Sequence, residues 1–263
     1  YSKKHIAVIG SGPAGLSCAY YLAVDGYSVT VFEKEEKLGG MMTLGIPAFR
    51  LEKDVVEAEI DILRELGVQF VTGVEVGKDK TIAQLKEEGF DGFYLAIGAS
   101  EGRKLGIEGE DANGVILGVD FLKSVALNKQ EPLHGNVVVI GGGNVAIDVA
   151  RTATRCNAET VNMYSLEQRK EMPALEEEIE EAESEKVIIN NGYGPKRILV
   201  EDGKVVGVEF KKCLSVFNSE GRFSPTYDEN DTITVKADYV LVSIGQRIEW
   251  GHLLDGTNVT VKK

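Results

Sequence analysis

Two glycine-rich turns, each between an apolar strand and a helix of small residues, carry the clearest chemistry in this chain. The first is Gly10-Ser11-Gly12-Pro13-Ala14-Gly15, and the second is Gly141-Gly142-Gly143-Asn144-Val145-Ala146. The first glycine of such a turn allows the chain to reverse, the second lets backbone approach a pyrophosphate, and the third position lets the helix pack closely. The helix N-terminus then directs free N–H groups at phosphate. Two such turns predict two bound nucleotides, and two adjacent nucleotides favour electron transfer between them.

The elements that position these turns predict an α/β fold with two Rossmann-like dinucleotide-binding domains. We expect a first domain over residues 1–101, which would be incomplete, and a second domain over residues 102–243 inserted into it. Residues 244–263 would begin the return to the first domain. Asp202-Gly203 between two apolar runs predicts a hairpin, and a short strand near residues 232–235 would complete a small antiparallel layer.

Composition limits the class of protein. The 263 residues are enough for one large or two ordinary domains. With 29 Lys and Arg against 42 Asp and Glu, the net charge of −13 argues against nucleic acid or anionic lipid as a partner. No apolar run of about 18 residues predicts a membrane span, and we expect a cytoplasmic protein.

The three cysteines, Cys18, Cys156 and Cys213, are isolated in the sequence. Because no Cys-x-x-Cys occurs, a redox disulfide of the usual spacing and an iron–sulfur cluster are not expected within this chain. Cys18 and Cys156 each fall in a helix after a glycine turn, and we expect both to be buried, reduced thiols. Neither a metal site nor a catalytic acid or base is predicted.

Glu33 ends the second predicted strand, 23 positions beyond Gly10. A carboxylate there can accept hydrogen bonds from the ribose hydroxyls of a dinucleotide. A pair of glycines follows soon afterwards at Gly39-Gly40, and bare backbone at that point can lie alongside an extended cofactor.

The run that continues from these glycines, GGMMTLGIPAFRLEKDVVEAEIDIL, resembles the FAD-binding segment of the glutamate synthase small-subunit family. That family belongs to the flavoprotein reductases with two dinucleotide-binding domains, and the resemblance extends over about residues 6–245. It implies FAD as the cofactor of the first domain, with Gly40, Met41 and Arg50 against the flavin and the backbone of Val76 at the adenine. The implied FAD site further includes Lys34, Ala96 and Gly98.

The same resemblance implies NAD(P)H as the cofactor of the second domain. Asn144 could cap a helix or contact the dinucleotide, and the resemblance favours the contact. Relatives specific for NADPH place an arginine pair after the tyrosine of the next strand, whereas this chain has Ser165-Leu166 there and Glu167 next. Because a carboxylate binds the 2′-OH of NAD and repels the 2′-phosphate of NADP, we expect a preference for NADH. Arg169 remains an alternative phosphate partner, and Gly245 is expected at the junction between the domains.

In function, the resemblance implies an oxidoreductase module that passes hydride from NAD(P)H to FAD. Electrons would then reach an iron–sulfur protein, or a fused iron–sulfur or catalytic domain. The alternative is a non-catalytic nucleotide-binding or interaction module with a degenerate flavin site. In the resembled family the chain goes on to a strand that binds the ribityl and phosphate groups of FAD. The present sequence reaches Lys263 about where that return begins, so we expect a fragment with an incomplete FAD domain.

Overall fold

A computed structural model describes residues 4–261 of the chain, which divides into two compact units. Unit 1 contains the residues up to Ser100 together with those from Arg247 onwards, and unit 2 is Glu101–Gln246. The chain therefore leaves unit 1 once and returns to it once. That each unit is a domain with its own cofactor stays a prediction.

Unit 1 is built on a parallel sheet of four strands in the order β3-β2-β1-β4. The strands are β1 (His5–Ile9), β2 (Ser28–Glu33), β3 (Gln69–Thr72) and β4 (Gly92–Leu95). The helices are α1 (Pro13–Val24), α2 (Met41–Leu44), α3 (Lys53–Glu65) and α4 (Ile82–Glu87). Strands β1 and β2 are apolar and almost entirely buried because helices cover parallel sheets on their faces. The sequence of residues 68–76 predicts a strand over that range, but in the structure β3 ends at Thr72 and a bend follows at Gly73.

Two apolar clusters lie within unit 1. One packs α1 and α3 against β1 and β2, and its fully buried members include Val8, Val31 and Ile60. The other contains Ile9, Phe32 and Leu85 together with Leu253 from the returning segment. The returning residues are thus part of the unit 1 core rather than a loose extension.

Unit 2 contains a second parallel sheet, of five strands in the order β6-β13-β7-β8-β9. Its strands are β6 (Val115–Leu117), β7 (Asn136–Ile140), β8 (Thr160–Ser165), β9 (Ile188–Asn191) and β13 (Tyr239–Val242). The helices are α5 (Gly118–Ala126), α6 (Asn144–Arg155) and α7 (Glu176–Ser184), and a 3-10 helix covers Arg169–Glu171. A short pair, β5 (Glu101–Gly102) with β14 (Gln246–Arg247), marks the two points where the chain passes between the units.

An antiparallel sheet of three strands completes unit 2 in the order β10-β11-β12. The strands are β10 (Tyr193–Glu201), β11 (Lys204–Phe217) and β12 (Phe223–Lys236). The hairpin predicted at Asp202-Gly203 forms, and both residues have positive φ, 49° and 76°, as a tight two-residue turn requires. The short strand expected near residues 232–235 is instead the end of a 14-residue strand. Charged residues across β12 hid its length, because one face of an antiparallel strand can be fully exposed.

The cysteines differ from the prediction in their burial and in the position of Cys156. Cys18 and Cys156 are half-buried, and only Cys213 is buried. Cys156 terminates α6 rather than lying within it. Burial raises the pKa of all three thiols, so none has the lowered pKa of a reactive thiolate.

Candidate functional site

The first glycine turn joins β1 to α1 in a tightly packed conformation. Gly10 has φ of 106°, and a Cβ there would lie 2.2 Å from the carbonyl oxygen of Ala96. A Cβ at Gly15 would lie 1.9 Å from the carbonyl oxygen of Gly10. Glycine is therefore required at both positions by close backbone contact.

Gly12 has a different environment from its neighbours in that turn. A Cβ built on Gly12 would meet nothing within 4 Å, and α1 begins there without a side-chain cap. The helix thus starts with uncapped N–H groups beside open space. This is the arrangement that binds a pyrophosphate at a helix N-terminus.

Glu33, the last residue of β2, is held against this turn. Its exposed fraction is only 6%, and its Oε2 accepts hydrogen bonds from the Ser11 backbone N–H at 3.0 Å and from Ser11 Oγ at 2.6 Å. Its Oε1 accepts from the Glu35 N–H at 2.9 Å. A carboxylate with fixed donors keeps its orientation, and it has lone pairs left for a further donor such as a ribose hydroxyl.

The second glycine pair packs against the same turn. The N–H of Gly39 lies 3.1 Å from both the carbonyl oxygen and the hydroxyl of Ser11. Gly40 has φ of 56°, and a Cβ there would lie 2.7 Å from the Cα of Gly12. Ser11 therefore links three predicted elements of the site, namely the glycine turn, the strand-end carboxylate and the Gly39-Gly40 pair.

Lys53, which sequence reasoning missed, fixes the segment that follows Gly40. Its ammonium donates to the carbonyl oxygens of Met42 at 2.7 Å and Ile46 at 2.5 Å. Partial burial lowers the pKa of this ammonium. The predicted Met41 is the first residue of α2, inside the segment that Lys53 holds.

The other residues predicted in unit 1 are spread along the chain. Ala96 lies directly beside Gly10, and its N–H donates to the Ile9 carbonyl. Val76 is buried in the core cluster that contains Leu253. The remaining three are exposed: Lys34, Arg50 and Gly98. Contact of these residues with a cofactor stays a prediction.

The second glycine turn joins β7 to α6 and repeats the geometry of the first. Gly141 has φ of 149°, and a Cβ there would lie 2.2 Å from the carbonyl oxygen of Ser243 and 3.1 Å from the Cβ of Ala146. A Cβ at Gly143 would meet nothing within 4 Å, and α6 begins there without a side-chain cap. Open space beside an uncapped helix again fits a pyrophosphate, with the predicted Val145 in the first turn of that helix.

Glu167 lies next to this turn, two residues beyond the end of β8. A Cβ on Gly142 would be 2.6 Å from Glu167 Oε2 and 3.1 Å from the Cβ of Ser165. Ser165 itself is buried, with 1% of its surface exposed. The predicted Ser165 and Glu167 therefore come together with the glycine turn, at the strand end where a dinucleotide fold reads the ribose.

Arg169, the alternative phosphate partner, is engaged elsewhere. Its guanidinium donates to Glu176 Oε1 at 2.9 Å and forms a second ion pair with Glu183. The carboxylates of Glu183 and Glu176 raise its pKa further above the ordinary value. Freeing Arg169 for a phosphate would require breaking both ion pairs.

Asn144 does not take the first of the two roles considered for it, the helix cap, and its contact with a dinucleotide stays a prediction. It is the first residue of α6, whose N-cap is Gly143, so its side chain does not cap its own helix. Its Oδ1 accepts the N–H of Leu175 at 2.9 Å, at the start of α7. Next to it, the Ala174 N–H donates to the Gly142 carbonyl, so the Ala174-Leu175 segment is held against the turn. Gly245, also predicted, has φ of 116° and accepts the Arg103 N–H.

Both turns thus define the class of protein, an α/β fold with two dinucleotide-binding units. The sequence matches the pyridine nucleotide-disulphide oxidoreductase family over residues 4–262. The chain belongs to that family. This confirms the expected class of flavin- and pyridine-nucleotide-dependent oxidoreductases.

Curated relatives support the more specific resemblance. The chain is 36% identical over 267 residues to the NADPH-Fe(3+) oxidoreductase subunit beta of Geobacter sulfurreducens, covering 99% of the chain and 40% of that protein. It is 39% identical to the NADP(+)-dependent formate dehydrogenase subunit beta of Moorella thermoacetica, covering 97% of the chain and 36% of that protein. It is 34% identical to the glutamate synthase [NADPH] small chain of Escherichia coli, covering 94% of the chain and 56% of that protein. The chain therefore spans from just over a third to just over half the length of these relatives.

Solved structures confirm the fold. FprA of Mycobacterium tuberculosis in complex with NADPH has a TM-score of 0.79 at 18% identity, covering 93% of this chain and 71% of that one. The thioredoxin reductase of Lactococcus lactis has a TM-score of 0.71 at 20% identity, covering 98% and 82%. Within residues 4–261, none of the helices has the length and apolar character needed to cross a membrane.

Proposed function

We propose that this chain is an oxidoreductase module in which unit 1 binds FAD and unit 2 binds NAD(P)H. The observation that carries the proposal is the repeated site: two strand–turn–helix connections, each with an uncapped helix N-terminus and a middle glycine beside open space. Each turn also has a glutamate beside it, Glu33 or Glu167. Family membership supports the same pair of cofactors.

The chain's own residues bind and orient the cofactors in this proposal. Uncapped N–H groups of α1 and α6 would hold the two pyrophosphates, and Glu33 would accept hydrogen bonds from the adenosine ribose of FAD. Ser11 and Lys53 would fix the segments that face the flavin. The chemistry supplied by the bound cofactors is hydride transfer from nicotinamide to flavin. We propose an iron–sulfur protein or domain as the next acceptor, in keeping with the names of the relatives as reductase or dehydrogenase subunits.

We further propose that NADH is favoured over NADPH. The carboxylate of Glu167 lies against Gly142, and Arg169 is paired with two glutamates. A 2′-phosphate would thus approach a negative charge with no free guanidinium from this loop. The relatives above carry NADPH or NADP(+) in their names, so the loop after β8 would distinguish this chain from them.

A matched pair of variants tests the assignment of cofactors to units. Gly12 and Gly143 have ordinary φ values of −71° and −95°, and both face open space. A Cβ can therefore be added at either residue without a clash, and an aspartate there would place a negative charge at the pyrophosphate. Gly12→Asp should abolish FAD binding and leave NADH binding intact, and Gly143→Asp should do the reverse, measured by flavin absorbance and isothermal titration calorimetry. Loss of both cofactors in either folded variant, or of neither, would overturn the assignment.

A further inference from the structure

Asn191 of unit 2 is not among the residues predicted for the nucleotide site, yet its side chain contacts two of them. It is the last residue of β9, which pairs with β8 so that Asn191 lies opposite Ser165. Its Nδ2 donates to Ser165 Oγ at 3.3 Å and to the Glu167 carbonyl oxygen at 3.1 Å. One side chain thus bonds to two of the three residues that follow Tyr164, namely Ser165 and Glu167.

Three donors converge on the carbonyl oxygen of Glu167. Besides Asn191 Nδ2, the oxygen accepts Ser165 Oγ at 3.0 Å and the Gly192 N–H at 3.2 Å. Most carbonyl oxygens accept one or two hydrogen bonds, since they have two lone pairs. The backbone at Glu167 is consequently fixed, although it lies outside any strand or helix.

Fixing that backbone fixes the point from which the Glu167 side chain extends toward the glycine turn. Its carboxylate is the atom group nearest to where a Cβ on Gly142 would be, at 2.6 Å. Gly192 is buried with φ of 78°, and a Cβ there would lie 2.6 Å from Gln168 Nε2. The segment after β9 therefore packs closely against the loop after β8 and hydrogen-bonds to it.

We propose that Asn191 is a positioning residue that sets the choice between NADH and NADPH by fixing Glu167. This inference rests on the proposed function, and specifically on the role of Glu167 at the ribose. Without the Asn191 amide the loop keeps its charge, but two donors instead of three hold the Glu167 carbonyl, and the direction of the carboxylate is less strictly fixed. The repulsion felt by a 2′-phosphate is then averaged over several side-chain positions.

The neighbouring asparagine provides a matched control. Asn190 lies on the same strand, and its Nδ2 donates to the Met163 carbonyl oxygen of β8 at 3.3 Å. Asn190→Ala removes the same atoms and a similar hydrogen bond between the same two strands, but no contact with the loop. If the asparagines only stabilise the sheet, both variants should have the same effect. If Asn191 sets the nucleotide choice, only the Asn191 variant should change the ratio of NADH to NADPH affinity.

The experiment measures the dissociation constants of NADH and NADPH by isothermal titration calorimetry on the parent chain, Asn191→Ala and Asn190→Ala. We expect Asn191→Ala to move the ratio of the two constants toward one by about three- to ten-fold, the range of one or two hydrogen bonds, and Asn190→Ala to leave it within two-fold. Asn191→Leu, which keeps the volume but has no donor, should match Asn191→Ala and covers the case in which the alanine variant does not fold. Adding Asn191→Ala to Glu167→Ala should cause no further change in the ratio, because the amide acts through that carboxylate.

The outcomes separate this inference from the function on which it rests. A parent chain that binds neither nucleotide, or that does not prefer NADH, overturns the proposed nucleotide choice and this inference with it. A parent chain that prefers NADH while Asn191→Ala and Asn191→Leu keep its ratio overturns the inference alone. An equal shift in Asn190→Ala would show a general effect of the β8–β9 pair, and would likewise refute a specific role for Asn191.

Discussion

The proposed preference for NADH depends on one side chain, Glu167, whose removal gives a quantitative test. In Glu167→Ala the backbone of the loop keeps its three hydrogen-bond donors, because they bind the carbonyl oxygen and not the carboxylate. The fold of the loop should therefore survive while the charge beside Gly142 is lost. Ser165 is a poor position for the alternative test of adding an arginine, since it is buried at 1% exposure.

The size of the effect follows from the charges. A carboxylate and one phosphate charge about 5–8 Å apart repel by about 1–2 kcal/mol across a dielectric between those of water and a protein surface. This energy corresponds to about a five- to thirty-fold change in an equilibrium constant. Glu167→Ala should thus strengthen NADPH binding by that factor. NADH should bind slightly more weakly, because the ribose loses an acceptor.

The assay is a titration of both nucleotides at two ionic strengths, with Glu180→Ala as the control. Glu180 is an exposed glutamate of α7, so its removal changes the net charge equally without touching the site. Added salt should reduce the effect of Glu167→Ala, because repulsion between partly exposed charges is screened. A parent chain that prefers NADPH, or a Glu167→Ala chain with an unchanged ratio, would refute the reasoning. The next residue to test would then be Lys212, whose ammonium lies over the Tyr193 ring near Gln168.

Three further variants test other parts of the structure. Glu33→Ala should weaken FAD binding by about 1.5–3 kcal/mol, the range for a charge-assisted hydrogen bond, and leave NADH binding unchanged in calorimetry; equal FAD affinity would remove Glu33 from the site. Gly40→Ala should abolish FAD binding because its Cβ would lie 2.7 Å from the Cα of Gly12, whereas Gly26→Ala, equally left-handed but with open space around it, should only lower the melting temperature. Glu185 has its pKa lowered from 4.5 to about 2, first by Arg155 and then by Arg151. The ion pairs of Glu185 therefore stabilise the fold above about pH 4.5, and this stabilisation is lost as the pH falls toward 2. Glu185→Gln should lose less stability than the parent over that interval in acid unfolding. Identical acid profiles of the two chains would contradict this.

Features that depend on local residues could be predicted from the sequence. The glycine turns, the parallel strands before them and the Asp202-Gly203 hairpin all follow from short motifs whose backbone requirements are specific. The lengths of the strands were harder to predict. β12 is polar along most of its length, so its apolar residues indicate too short a strand. Beyond β3 the apolar residues continue to Val74 and Val76 and indicate too long a strand, because a bend at Gly73 ends it.

Contacts between distant segments could not be predicted in the same way. Lys53 binds the carbonyl oxygens of a loop, and Asn191 binds a loop that lies 24 residues earlier. Neither contact has a sequence motif, since a carbonyl acceptor is present at every residue. The hydrogen bond from the backbone N–H of Leu175 to Asn144 could not be predicted for the same reason.

The two units place a carboxylate beside a glycine turn in different ways. In unit 1, Ile9 pairs with Phe32, and the next residue of β2 is Glu33, which Ser11 binds directly. In unit 2, Ile140 pairs with Tyr164, so the position equivalent to Glu33 is Ser165.

The residue of the second turn that corresponds to Ser11 is Gly142, which has no side chain to bind a carboxylate. Glu167 instead reaches the turn from two residues further on, and its direction depends on the bonds to its own backbone carbonyl. The carboxylate of Glu33 is therefore fixed by the turn itself, whereas that of Glu167 is fixed only through its loop. A Cβ at position 142 would lie 2.6 Å from Glu167 Oε2, so a side chain there would displace the carboxylate from the turn. On this reasoning the proposed FAD site should tolerate changes in its neighbouring loops better than the proposed NAD(P)H site, for which we infer a selectivity that depends on Asn191.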